Sequence, residues 1–208
     1  MIHGMLFWGA PTTDKARWQF FGKAAYLIGG MSYSLDDVEH GVLRCNAPHP
    51  YRLQAQFGEA DLRREAALQS LDPRVHFAMV CGAKSCPPVR VFRPASLDQE
   101  LHEAATAFCS DSGNVQADLG TRTLQISRIL YWFNKDFGRG SAGDVAHAYI
   151  KQYAIGAVGE ALAEAERTAG AVKSSLFSSA SKRADKWKVS FLEYDWGTNG
   201  VGLSTMIV

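Results

Sequence analysis

Helix-type and strand-type patterns are interleaved along this sequence without the regular strand–helix alternation that builds a parallel sheet. The run AAYLIGGMSYSL holds two short β-type segments around Gly29 and Gly30, which predicts a hairpin. Three segments have helical periodicity: SLDDVEHGVLR, ASLDQELHEAATAFCSDSG and VAHAYIKQYAIGAVGEALAEAERTA. Three others are predicted strands: VHFAMV, which should be buried, TRTLQISRIL and WKVSFLEYDW. This mixture predicts an α+β fold, with a small mixed or antiparallel sheet and packed helices.

Length and composition predict one globular domain over residues 1–208. The chain has 208 residues, of which 47% are apolar and 21% charged. These values are typical of a folded domain that buries a core of its own. The segment 168–186 is rich in Ser, Ala and Lys, which predicts an inserted loop or linker within that domain.

Charge and hydropathy exclude several classes of protein. A net charge of +1 provides no overall attraction for nucleic acid or for an anionic membrane surface. No apolar run approaches the ~20 residues of a spanning helix, so no membrane span is predicted. Four cysteines are too few for a disulfide scaffold of this length, which favours reduced thiols and a cytoplasmic location. The sequence has no GxGxxG, P-loop or HExxH motif, and no cofactor is predicted.

The densest group of chemically useful residues is RVHFAMVCGAKSCPP, residues 74–88. A thiolate nucleophile needs a lowered pKa, a cleft and a base within hydrogen-bond reach. Gly82 lets the chain turn beside Cys81, and Lys84 is a local cation that could favour a thiolate. His76 and His40 are the candidate bases. In a straight strand His76 and Cys81 would point to opposite faces, so pairing them requires a bulge or the turn itself.

Three other interpretations of the same cysteines compete with a reactive thiol. Cysteine outside a disulfide is among the most buried residue types, so Cys81 could serve packing alone. The spacing of Cys81 and Cys86 does not match the close CxxC pairs of zinc sites, and no metal site is predicted. It also differs from the CxxC of thioredoxin-like proteins, although folding could bring the two sulfurs together.

Two further segments contribute candidates. Glu39 and His40 adjoin on a predicted helix and should therefore face different directions. Asp195, in YDWGTN, could orient a histidine as the third member of a triad does. The alternative for His40 is a surface or interface histidine, and the alternative for Asp195 is a turn cap. The aromatic run YWFNKDF, residues 131–137, is predicted to line a core or a groove.

Four segments together resemble a known family: IGGMSYSLDDVEHGVLR, DPRVHFAMVCGAKSCPPVRVF, ISRILYWFNKDFG and YDWGTN, in that order. The resemblance is to the domain of unknown function number five-four-seven, and its most specific element is the Cys-Gly-Ala-Lys-Ser-Cys-Pro string. It covers roughly residues 1–155 and resumes near 187. By position, the family's pattern falls on Glu39, His40, His76, Cys81, Cys86, Tyr194, Asp195, Trp196 and Asn199.

The resemblance implies little settled biochemistry. It suggests a fold related to transglutaminase-type or papain-type cysteine hydrolases. Plant members are commonly fused to a leucine-zipper region, and some animal members carry glutaredoxin or signalling domains, which suits an adaptor-like or redox-associated role. Two departures are expected here: the family's Asn-rich helix ahead of His3 is missing, and the connection near 170–186 is longer.

Three hypotheses for function follow, and whether the protein is an enzyme is left open. The first is a cysteine-dependent hydrolase or acyl-transfer enzyme, with the Gly82 and Ala83 amides as oxyanion donors. The second is a non-catalytic protein-interaction domain, and the third a thiol-redox or metal-linked protein that uses Cys81 and Cys86. The partner would be an unknown protein or a small substrate. The catalytic candidates are Cys81, Cys86, His76, His40, Glu39 and Asp195.

Overall fold

The computed structural model of the chain describes residues 2–174 and 187–199. The α-helices in these residues are α1 (Ile2–Trp8), α2 (Asp14–Lys23), α3 (Leu97–Ser110), α4 (Arg128–Trp132), α5 (Asn134–Phe137), α6 (Ala142–Tyr153) and α7 (Gly156–Ser174). The strands are β1 (Ala25–Ile28), β2 (Met31–Ser34), β3 (Val115–Asp118), β4 (Thr123–Ile126) and β5 (Lys188–Phe191). The predicted α+β class is confirmed. No helix in the described ranges has both the length and the apolar character needed to cross a bilayer.

The described residues divide into two compact units. The first contains residues 2–75, 79–86 and 195–199, and the second contains residues 76–78, 87–174 and 187–194. The single domain over 1–208 therefore stays a prediction.

In the first unit, β1 and β2 form the predicted hairpin. They pair antiparallel, from Ala25 opposite Ser34 to Ile28 opposite Met31. Gly29 and Gly30 make the turn with φ angles of +59° and +81°. This left-handed conformation is the one that a two-residue hairpin loop requires and that glycine adopts without steric cost. The hairpin prediction is confirmed.

The predicted helix after the hairpin is present but contains a π-helical stretch, Asp37–Leu43. A reciprocal cap starts it: the Ser34 N–H donates to Asp37 Oδ2 at 2.9 Å, and the Asp37 N–H donates to Ser34 Oγ at 3.1 Å. A Cβ on Gly41 would overlap the ring of Phe57, which is 1% exposed. Glycine at this position is therefore what allows the helical stretch and Phe57 to approach so closely.

The predicted strand VHFAMV is wrong. Residues Pro73–Phe77 form a short 3-10 helix instead. Asp72 caps it by accepting the Arg74 N–H at 3.0 Å, and Pro73 supplies a φ that suits a helical first turn. A short apolar run cannot be assigned to strand or helix by its periodicity alone, and this local cap favours the helix. The predicted burial is confirmed for residues 75–77, of which Phe77 is 1% exposed, whereas residues 78–80 are half-buried.

The second unit is built on a three-stranded sheet in the order β3-β4-β5. β3 and β4 pair antiparallel, with Val115 opposite Ile126, whereas β4 and β5 pair parallel, with Leu124 opposite Val189. The strand predicted for WKVSFLEYDW is confirmed over Lys188–Phe191, which form β5, and residues 192–196 do not continue it. The core joins these strands to helices α3, α4, α6 and α7, and its most deeply buried side chains are Phe77, Ala105, Cys109, Val115, Leu124, Ile126, Leu130, Ala146 and Ile150.

Three further boundaries in this unit differ from the predictions. TRTLQISRIL is a strand only to Ile126, since Ser127 caps α4 by accepting the Ile129 N–H at 3.4 Å. The single long helical pattern is two helices, α6 and α7, because the chain takes a left-handed conformation at Gly156, where φ is +60°. Helix α7 runs to Ser174, so residues 168–174 of the predicted loop are helical; residues 175–186 lie outside the described residues.

Candidate cysteine site

The two cysteines of the Cys-Gly-Ala-Lys-Ser-Cys string lie side by side. Cys81 Sγ and Cys86 Sγ are 2.7 Å apart, and the Cys81 N–H donates to Cys86 Sγ at 3.1 Å. Both side chains are half-buried thiols. A disulfide bond needs a separation of about 2.05 Å, so a small rotation of the two side chains would bring the sulfurs to bonding distance.

A tight turn between the two cysteines produces this proximity. Gly82 has a φ of +81°, which turns the chain directly after Cys81. The Cys86 N–H then donates to the Ala83 carbonyl at 3.1 Å, and Ala83 is fully buried. Because of this turn, two residues whose side chains would point to opposite faces of a straight strand meet.

A second segment, residues 195–199, pairs with the turn and is called the clamp below. Ala83 and Thr198 form an isolated antiparallel bridge. Main-chain hydrogen bonds connect the clamp to residues 82–85: Lys84 N–H to Gly197 O at 2.8 Å, Ser85 N–H to Asp195 O at 3.3 Å, and Asn199 N–H to Gly82 O at 2.8 Å. The cysteine turn is therefore held by a segment more than a hundred residues away in the sequence.

Asp195 shapes the start of the clamp. Its N–H donates to Ser85 Oγ at 2.8 Å, and its Oδ1 accepts the Gly197 N–H at 2.8 Å. Its Oδ2 lies 3.8 Å from Lys84 Nζ, and both side chains are more than half exposed. These contacts give Asp195 the geometry of a turn cap, which was one of its two predicted roles.

Glu39 and His40 belong to a second polar group in the first unit. Arg44 Nη1 donates to His40 Nδ1 at 2.8 Å. Since a guanidinium can only donate, Nδ1 is the acceptor, and the proton of the neutral ring is on Nε2. That atom lies 3.9 Å from Glu39 Oε1, which is longer than a hydrogen bond. His40 is 2% exposed, so the surface alternative for this residue is wrong, and the interface alternative stays a prediction.

His49 completes this group and was not anticipated from the sequence. Its ring centroid lies 4.4 Å from that of His40, and its Nδ1 accepts the Tyr51 N–H at 3.2 Å. Burial, together with the positive charges of Arg52 and Arg44, lowers the pKa of His49 to about 4. The imidazole is therefore neutral near pH 7. A histidine between two prolines, as in Pro48-His49-Pro50, is the only local signal that could have drawn attention to it.

His76 belongs to the second unit. Its Nε2 lies 2.8 Å from Asp136 Oδ2, and its ring stacks on Phe133 with centroids 4.1 Å apart. The prediction that the 131–137 aromatic run lines a core or a groove is confirmed for Phe133 and Phe137, which both pack against the His76 ring, whereas Tyr131 is 49% exposed. Asp136 was missed, although it is the one acidic residue within that aromatic run.

Of the predicted site residues, Cys81, Cys86 and Asp195 lie together in the cysteine turn and its clamp. The remaining cysteines differ from this pair. Burial raises the pKa of Cys109 to about 12, and Cys45 follows the π-helical stretch with a φ of +55°. Within residues 2–174 and 187–199, no three or more His, Cys, Asp or Glu side chains are grouped so as to hold a metal ion.

Comparison with known proteins places the cysteine turn inside a recognised family region. A family model described as a protein of unknown function, DUF547, matches residues 1–109. The matched range includes both the cysteine turn and the group formed by Glu39, His40, Arg44 and His49. No curated protein and no solved structure matches the chain.

Proposed function

The chain belongs to the DUF547 family, and we propose that in this member Cys81 and Cys86 form a reversible dithiol–disulfide pair. The observation that supports this function is the 2.7 Å separation of the two sulfurs within a turn held by the clamp. Packing alone would not require two half-buried thiols to face each other. The hydrolase and interaction-domain hypotheses stay predictions.

The proposed reaction is thiol–disulfide exchange with a disulfide RS–SR. The Cys86 thiolate attacks one sulfur, the S–S bond breaks, and one RS⁻ leaves and takes up a proton. Cys81 then loses its proton and attacks Cys86 Sγ, which expels the second RS⁻. The net reaction converts the protein dithiol and RS–SR into the protein disulfide and two RSH, and it runs in reverse when RSH is in excess.

Cys86 is assigned the attacking role because of its hydrogen bond. The main-chain N–H of Cys81 donates to Cys86 Sγ at 3.1 Å, and such a donor stabilises negative charge on the sulfur. The same bond places the Cys81 residue directly against Cys86. The mixed disulfide formed on Cys86 would therefore be resolved quickly by Cys81.

Equilibration in glutathione buffers tests this function. The native protein is incubated at several ratios of reduced to oxidised glutathione, quenched with acid and alkylated, and each cysteine is read by mass spectrometry. We expect Cys81 and Cys86 to lose and regain alkylation together. The alkylated fraction should follow the squared concentration of reduced glutathione divided by the concentration of oxidised glutathione. The matched variants Cys81→Ser and Cys86→Ser should form only a glutathione adduct on the remaining thiol.

Independent alkylation of the two thiols at every ratio would contradict the proposal. So would stable glutathione adducts on both cysteines of the unmodified chain, because a neighbouring thiol within bonding reach should displace them. Cys109 serves as an internal reference in both cases, since it is fully buried.

A further inference from the structure

We propose that Arg17 is a positioning residue that sets the reduction potential of the Cys81–Cys86 pair by holding the clamp against the cysteine turn. This inference rests on the proposed function. Arg17 lies on helix α2, far from the cysteines in the sequence. Its connection to them passes through Trp196, in the middle of the clamp.

The contact between Arg17 and the clamp is direct and part-buried. Arg17 Nη2 donates to the Trp196 carbonyl at 2.6 Å, and the guanidinium carbon lies 5.4 Å from the centroid of the Trp196 ring. Arg17 itself is 7% exposed. A hydrogen bond donated by a charged guanidinium is stronger than one between two neutral groups, and the Trp196 ring adds a cation–π attraction.

The remaining donors of Arg17 indicate that its burial serves this contact. Nε and Nη1 are buried and have no hydrogen-bond partner among residues 2–174 and 187–199. Leaving such donors unsatisfied costs free energy, and this cost is larger for a charged group. The arginine thus occupies an unfavourable position in which the one described hydrogen bond of its side chain is to the clamp.

The clamp passes this restraint to the cysteine turn. Residues 195–199 bond to residues 82–85 through the main chain, and Ser85 Oγ adds a bond from the Asp195 N–H at 2.8 Å. A turn held on this side has fewer conformations available to it. The two sulfurs then spend more time at the distance at which a disulfide can form.

The effect on the redox equilibrium has a definite sign. Restraining the turn raises the effective concentration of each thiol for the other, which favours the disulfide over the dithiol and lowers the reduction potential. Loosening the turn should do the opposite. A ten-fold fall in the equilibrium constant for disulfide formation raises the potential of this two-electron couple by about 30 mV.

The test measures the reduction potential of the folded 208-residue chain in glutathione buffers. Arg17→Met removes the donor to Trp196, and Arg17→Lys keeps the charge but loses the planar guanidinium. Ser85→Ala removes the side-chain acceptor, whereas Ser85→Thr keeps it. We expect Arg17→Met and Ser85→Ala each to reduce the equilibrium constant about ten-fold, with Arg17→Lys intermediate and Ser85→Thr close to the unmodified chain.

A matched control separates positioning from general loss of stability. Ser141 caps helix α6 by accepting the Asp144 N–H at 3.2 Å, in the other unit. Ser141→Ala should lower the melting temperature without moving the potential. An equal shift in Ser141→Ala and Ser85→Ala would overturn the inference.

The outcomes distinguish this inference from the proposed function. If the unmodified chain shows no cooperative couple between Cys81 and Cys86, the proposed function fails. If the unmodified chain shows a cooperative couple and neither Arg17→Met nor Arg17→Lys changes its reduction potential, the role of Arg17 is overturned while the proposed function stands. If Arg17→Met does not fold, Arg17→Lys decides alone: a higher potential supports the inference, and an unchanged potential overturns it.

Discussion

His76 and Asp136 form a buried pair in the second unit, with 2.8 Å between Nε2 and Oδ2. The His76 side chain is completely buried, and that of Asp136 is 7% exposed. Phe133 covers one face of the imidazole. This hydrogen bond pairs a carboxylate oxygen with an imidazole nitrogen where both side chains are buried.

Asp136→Ala should therefore destabilise the second unit strongly. Removing one partner of a buried pair typically costs about 3–5 kcal/mol, because the other polar group is left buried. The measurement is urea unfolding followed by the fluorescence of the tryptophans. Glu160→Gln, on the exposed side of α7, is the control and should change the midpoint little. A midpoint for Asp136→Ala equal to that of the control would show that the pair contributes no stability.

The pKa of His49 predicts how stability changes with pH. Burial lowers this pKa to about 4, below the ordinary histidine value of 6.5. The unfolded chain then binds more protons than the folded chain between these values, so stability rises with pH from about 4 to about 6.5 and is lost as pH falls through that window. We expect His49→Gln to show a smaller drop in melting temperature between pH 7 and pH 4.5. His3→Gln, at an exposed histidine, should retain the drop of the unmodified chain.

Cys109 should be inert while the protein is folded. The Cys109 side chain is fully buried, and this burial raises the pKa of its thiol to about 12. N-ethylmaleimide at pH 8 should leave Cys109 unmodified until urea unfolds the second unit. Cys109→Ser should destabilise by about 1–3 kcal/mol, because it buries a hydroxyl, and Cys109→Ala should cost less. Rapid alkylation of Cys109 in the native protein would contradict its placement.

Gly41 and Gly22 offer a matched pair of glycine substitutions. A Cβ on Gly41 would overlap the Phe57 ring, whereas a Cβ on Gly22, in helix α2, would meet no atom within 4 Å. Gly41→Ala should destabilise by about 1–3 kcal/mol as an overpacked core residue. Gly22→Ala should stabilise by up to about 1 kcal/mol through helix propensity. Thermal unfolding monitored by circular dichroism measures both, and equal effects of the two substitutions would refute the tight contact at Gly41.

Local signals were enough to predict several elements of this protein. Gly29 and Gly30 predict the hairpin because the turn they form needs only four consecutive residues. Helix α3 follows from its spacing of apolar side chains, of which Leu101, Ala105 and Phe108 are buried. The α+β class follows from the sum of such elements. In each case the physical cause lies within one stretch of chain.

The arrangement of the candidate site depends on contacts between residues distant in the sequence. Cys81 and Cys86 could be identified as candidates, but their sulfurs meet because of the left-handed turn at Gly82 and the clamp at residues 195–199. The carboxylate that lies beside the His76 ring belongs to Asp136, sixty positions later in the sequence. No periodicity in a single sequence records such pairings, because they arise only when separate segments pack and satisfy one another's hydrogen bonds. The residue types thus follow from the sequence, and their chemical neighbours follow from the fold.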